Sequence, residues 1–124
     1  MLYCLDTNCC ILIIAQSSPK LTARVESHVP GDIVLSAIVA AELVRGLESA
    51  GSGSSAQIDR MFQTFPVVPF DEAAARAFPS VPFRRAKFDR LIAAHALAMG
   101  ATLVTANPKD FKDVPGLSVE DWTA

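Results

Sequence analysis

The stretch Leu2-Tyr3-Cys4-Leu5-Asp6-Thr7-Asn8 decides how this chain is to be read. A short apolar run, extended in character, ends by delivering an aspartate into a polar turn. An ionised carboxylate at the edge of a core is costly unless a charge or a metal compensates it. In parallel α/β folds, the carboxyl ends of the strands are where ligands are handled. Working outward, Thr7 or Asn8 is placed to cap a helix reaching about residue 15, and Ser18-Pro19 opens a short amphipathic one. Ile33-Val34-Leu35 is a second buried strand, with Ser36 capping the helix that carries Glu42. Residues 49–55 form a Gly-Ser surface loop, and 56–65 is another helix. Val67-Val68-Pro69-Phe70 is a short strand, and Asp71 caps an alanine-rich helix that Pro79 and Pro82 terminate. A helix over 87–99 closes at Gly100. Residues 102–105 are the next strand, 108–111 a short helix, and 117–119 an edge strand. Strands alternating with helices predict an α/β protein: a three-layer α/β/α sandwich with a central, mostly parallel sheet. At 124 residues, 1–124 is expected to be a single domain.

Composition narrows the class. The chain is 51% hydrophobic and 19% charged, so it can bury a core and is not disordered. No apolar stretch approaches a membrane span, and the N-terminus lacks a signal-peptide pattern. The cysteines, Cys4, Cys9 and Cys10, crowd together and cannot build a disulfide framework. Buried thiols in a cytoplasmic protein are expected instead. A net charge of −2 argues against a general nucleic-acid coat. Its distribution says more, because the segment 84–112 carries +4 and the remainder −6. Arg84, Arg85, Lys87 and Arg90 form a basic strip suited to a phosphodiester backbone.

The acids inside apolar surroundings carry the chemistry. Asp6 ends one strand. Glu42 interrupts the apolar helical run Ile38-Val39-Ala40-Ala41-Glu42-Leu43-Val44. Asp89 sits in the first turn of its helix, where the dipole favours a carboxylate. There Asp89, Ile92, Ala93 and Ala96 share a face, and the small residues let the helix press close. Asn107 and Asp110 follow the strand that ends at Thr105. Each has a duller reading: Asp6 as a helix cap, Glu42 paired with Arg45, Asp89 paired with Lys87 or Arg85, Asp110 as an exposed acid beside lysines. His95, on another face from Asp89, is expected to be a core or surface histidine rather than a ligand. Converging carboxylates repel one another, and a hard divalent cation with oxygen ligands, Mg²⁺ or Mn²⁺, removes that conflict. Such an ion activates water and offsets charge building on a phosphate. The conjunction points to phosphodiester hydrolysis.

The chain resembles the PIN-domain ribonucleases of the VapC toxin family, of type II toxin–antitoxin pairs. The resemblance is carried by Leu5-Asp6-Thr7-Asn8, Leu35-Ser36-Ala37-Ile38 with Ala41-Glu42-Leu43 and Gly46, and Pro69-Phe70-Asp71-Glu72-Ala73-Ala74-Ala75. It continues in Asp89-Arg90-Leu91-Ile92-Ala93-Ala94-His95-Ala96-Leu97, in Gly100-Ala101-Thr102-Leu103-Val104-Thr105, and from Phe111 through Trp122. It implies that Asp6, Glu42 and Asp89 bind Mg²⁺ or Mn²⁺, with Asp110 as the fourth acid and Asn107 as the alternative. Thr7, Asn8, Ser36, Thr105 and Asn107 would orient the acids and water. It also implies a VapB-like antitoxin partner, an RNA substrate (often tRNA in such toxins), homodimers and a cytoplasmic location. One departure stands out: Phe78-Pro79-Ser80-Val81-Pro82-Phe83 abbreviates a stretch that is longer in such chains, which bears on the substrate groove.

The leading expectation is therefore a Mg²⁺-dependent endoribonuclease. The alternative is a catalytically silent PIN-like module that binds RNA or protein. A phosphatase or phospho-acceptor receiver ranks third, because the chain has a single early acid and no matching late lysine.

Overall fold

The computed structural model describes residues 1–50, 55–85 and 87–124, with the side chains of 47–50 left aside. Five strands form one sheet: β1 (Tyr3–Leu5), β2 (Ile33–Ser36), β3 (Val67–Val68), β4 (Thr102–Val104) and β5 (Val119–Glu120). Their order is β3-β2-β1-β4-β5, and every neighbouring pair is parallel. The flanking helices are α1 (Thr7–Ala15), α2 (Pro19–Glu26), α3 (Ala37–Ala50), α4 (Ser55–Thr64), α5 (Glu72–Ala77) and α6 (Lys87–Met99). Two 3₁₀ turns, Phe78–Ser80 and Pro108–Phe111, complete the path. The α/β architecture expected from the alternating pattern is the one observed.

The order of the strands matters more than their number. From β1 the chain builds outward through β2 and β3 on one side, then returns to lay β4 and β5 on the other. Tyr3 faces Ile33 on β2 and Thr102 on β4, so β1 is hydrogen-bonded along both edges. A sheet whose winding reverses between two adjacent parallel strands opens a crevice at their carboxyl ends. Here that switch point lies between β1 and β4, just beyond Leu5 and Val104.

Several local expectations need correction. Asp6, not Thr7 or Asn8, caps α1: its Oδ1 accepts the Cys9 amide proton at 2.8 Å. Its extended backbone puts the carboxylate over the first turn, and Thr7 is already helical. The last strand is Val119–Glu120 rather than 117–119, because Leu117 is still turning, with its amide on the Val114 carbonyl, and Gly116 takes φ +79°. α3 continues to Ala50 and α4 begins at Ser55, so the predicted Gly-Ser loop is shorter than 49–55; residues 51–54 lie outside the described residues. Ser36 does help to start α3, accepting the Ile38 amide at 3.0 Å. Among the described residues, no helix is long and apolar enough to cross a membrane.

Leu5, Leu35, Leu103 and Ile92 are buried together with all three cysteines. Removal from water penalises a thiolate, and the charge of Asp6 adds to that penalty. The Cys4 thiol is pushed up to about 12, and those of Cys9 and Cys10 are likewise raised well above the usual range. Reactivity follows the thiolate. The folded protein should therefore leave Ellman's reagent unreacted at pH 8, and the same protein in denaturant should titrate for all three thiols. Prompt labelling of the folded protein would contradict this burial.

Candidate active site

Asp6 reaches the switch point because its amide donates to the Val104 carbonyl at 3.0 Å, which extends the β1–β4 ladder by one residue. The side chain is only 7% exposed. Oδ1 is committed to the helix cap.

Glu42 comes from α3, half-buried on the face toward α1. The Thr7 hydroxyl donates to its Oε1 at 2.6 Å, a link between residues 35 apart in sequence. The duller pairing of Glu42 with Arg45 is not made. Asp89, half-buried in the first turn of α6, is held at depth by Ile92, Ala93 and Ala96, all buried on the same helix. Burial pushes the Asp89 carboxyl above its usual range, and the charges of Glu42, Asp6 and Asp110 push it further; Arg90 opposes them. Glu42, Asp6 and Asp110 therefore each lie within electrostatic reach of Asp89. Asp110 is exposed at the 3₁₀ turn after β4.

The expected four-acid centre is nevertheless not drawn together into a closed cluster. Among the described residues, no group of three or more His, Cys, Asp and Glu side chains surrounds a point that could hold an ion. Like charges repel, and two of the acids are turned to other partners, Asp6 to an amide and Glu42 to a hydroxyl. The donor set itself is all carboxylate oxygen, of the hard type that suits Mg²⁺ or Mn²⁺ rather than a thiophilic metal.

The supporting residues divide. Thr7 orients Glu42 directly. Ser36 is fully buried and hydrogen-bonded to His95 Nδ1 at 2.8 Å. Thr105 Oγ1 accepts the Asn107 amide at 3.0 Å and so shapes the turn that leads to Asp110. Asn8 and Asn107 are exposed. His95 is a core residue: burial holds its pKa below the usual value, against the charge of Asp71, and its ring meets Phe70 edge-on.

Arg90 is the residue that sequence reasoning misplaced. Expected on the RNA-facing strip, it is 2% exposed. Its Nη1 contacts both Asp113 carboxylate oxygens at 3.2 Å and the Pro82 carbonyl at 3.4 Å, while Nη2 donates to the Asp110 carbonyl. Its guanidinium also lies over Phe111. Arg84 joins the same acid at 3.0 Å. Burial alone would raise Asp113, but the hydrogen bond and charge of Arg90, with Arg84 behind it, hold its carboxyl below the usual range. Arg90 is therefore a brace between α6, the shortened 78–83 segment and the turn carrying Asp110. An arginine one position from an inward-facing acid, with Asp113 further along, is the only sequence signal for it. Arg85 and Lys87 remain exposed, with no ion pair among the described residues.

Residues 3–117 match the profile of the PIN domain. The chain belongs to the PIN-domain family. Within that family it aligns end to end with VapC proteins. It is 30% identical over 130 residues to a tRNA(fMet)-specific endonuclease VapC of Shigella flexneri, covering 98% of each chain. It is 32% identical over 136 residues to Ribonuclease VapC1 of Haemophilus influenzae strain R2866, covering 99% of each. Among solved structures, the PIN domain superposes on VapBC2 of Rickettsia felis bound to a promoter DNA fragment, with a TM-score of 0.87 and 28% identity over 98% of this chain and 99% of that one. VapBC-1 of nontypeable Haemophilus influenzae gives 0.84 and 29% over all of both chains.

Two outcomes follow for this PIN domain. An acid raised by its surroundings binds more protons when folded, so its ionisation erodes stability as pH rises above about 4. In EDTA, Asp89→Asn should raise Tm by a few degrees at pH 7, and that gain should shrink toward zero near pH 4; a variant less stable at pH 7 would contradict it. Arg90→Ala removes a buried guanidinium that links half-buried Asp113 to the Pro82 and Asp110 carbonyls, and should cost about 2 kcal/mol in denaturant unfolding. Arg84→Ala, at a side chain 52% exposed, should cost less than about 1 kcal/mol.

Proposed function

We propose that the chain is a ribonuclease toxin of the VapC type, which hydrolyses RNA phosphodiester bonds and is neutralised by a VapB-like antitoxin. The observation that carries this reading is the half-buried Asp89, on which the charges of Glu42, Asp6 and Asp110 act, in a chain that matches VapC endonucleases along its whole length. Asp6, Glu42 and Asp89, with Asp110 as fourth acid and Asn107 as the alternative, are the proposed ligands of Mg²⁺ or Mn²⁺. When bound, that ion supplies Lewis acidity to a phosphodiester oxygen and a water of lowered pKa. The chain's own work is positional. The helix cap fixes Asp6, Thr7 aims Glu42, and α6 seats Asp89. Arg85 and Lys87 offer cations to the RNA backbone beside the acids, and Arg84 does so in part, being shared with Asp113.

The Shigella relative is named for initiator tRNA, which makes tRNA the first substrate class to try. Neighbours solved as VapBC complexes support an antitoxin partner of the same kind, with a homodimer and the cytoplasm as the expected setting.

Purified protein incubated with total tRNA and Mg²⁺ should release discrete fragments, and EDTA should stop it. Asp6→Asn should lower the rate by about 100-fold or more, given that even groups merely supporting a metal site act on that scale. Cleavage that survives both EDTA and Asp6→Asn would overturn the proposal. RNA binding without cleavage would favour the silent module.

A further inference from the structure

Phe88 immediately precedes Asp89 and stands 57% exposed in the first turn of α6. It takes no part in the hydrophobic core. Its ring instead lines a groove of about 680 Å³ against α3, shared with Ile38, Ala41, Val44, Glu42 and Arg45. One wall therefore holds a proposed catalytic acid, and the other an unpartnered aromatic face. Arg85 and Lys87 are exposed just before Phe88 on the chain.

A nucleotide joins a flat apolar base to an anionic phosphate within a few ångströms, and this groove offers a counterpart to each. A protein helix laid in it would need an unbroken apolar strip, whereas Glu42 and Arg45 interrupt the α3 side. A base held in a duplex cannot offer its face, so an exposed ring selects unpaired nucleotides. We propose that Phe88 is a stacking platform for an unpaired nucleobase beside the phosphate to be cut. This inference rests on the ribonuclease reading.

The test uses the full chain and two RNAs, a hairpin with an open loop and a fully paired duplex. Loss of a stacked base is worth about 1–3 kcal/mol, so Phe88→Ala should raise KM on the hairpin about 10-fold, leaving kcat within about twofold. Phe88→Trp should restore KM, and Phe88→Leu, apolar but without a planar face, should not. With Asp6→Asn as a binding-only protein, 2-aminopurine in the loop should change fluorescence on addition of protein, and lose that change with Phe88→Ala added. The exposed ring bears little on folding, and unchanged Tm values check this. The inference is overturned if wild-type protein cleaves the hairpin and Phe88→Ala does so with the same KM, or if Leu serves as well as Phe. Unchanged KM together with weakened antitoxin capture assigns the groove to the protein partner and equally overturns it. A wild-type protein that neither binds nor cleaves RNA removes the ribonuclease reading itself, a result distinct from insensitivity to Phe88.

Discussion

The site depends on a single geometric constraint: β1 is the middle strand of a parallel sheet, bonded on one edge to β2 and on the other to β4. Its direction and depth are fixed by two ladders at once, and Asp6 inherits that rigidity through its amide bond to the Val104 carbonyl. The same carboxylate then starts α1 by capping the Cys9 amide. A helix cap of this kind contributes about 1 kcal/mol. Asp6 is therefore stapled to the fold through its main-chain amide and one carboxylate oxygen.

Gathering acids works against folding, and the structure shows how the cost is contained. Thr7 gives Glu42 a neutral hydroxyl donor that fixes its carboxylate without adding an opposite charge to the site. Arg90 lowers Asp89 from one side, but its own charge is directed to Asp113, so it opposes the repulsion without closing an ion pair on the site. The result is a set of carboxylates kept apart. Protein groups alone leave the repulsion unresolved, as the raised Asp89 records.

The fold was largely legible, because period and punctuation are local properties. The apolar runs at Cys4-Leu5, Val34-Leu35 and Leu103-Val104 became central strands. The helix over residues 87–99 has the bounds its pattern predicts. The partial burial of Glu42 and Asp89 was legible too, since both stand inside apolar helical runs. What stayed hidden was pairing across long sequence gaps. Nothing in Asp89-Arg90 says that the acid turns toward the crevice and the arginine away from it, toward Asp113, 23 residues on. The Ser36–His95 bond spans 59 residues and is equally silent. Capping was misassigned because Asp6, Thr7 and Asn8 are all competent caps, and only the extended backbone at residue 6 decides among them.

The identity of the fourth acid turns on that hidden arginine. Asp110 and Asp113 are three residues apart, and either could follow β4 into the crevice. Asp113 is taken: its carboxylate holds Arg90 and Arg84. Arg90 simultaneously grips the Asp110 main chain through its carbonyl, which leaves that side chain free while fixing the turn beneath it. Asn107 is bound only through its amide, to Thr105, and brings no charge. The charge of Asp110 does reach Asp89 and helps to raise it. Arg90 directs its charge to Asp113 and donates through Nη2 to the Asp110 backbone, and on that ground we propose Asp110, over both Asp113 and Asn107, as the group completing the site.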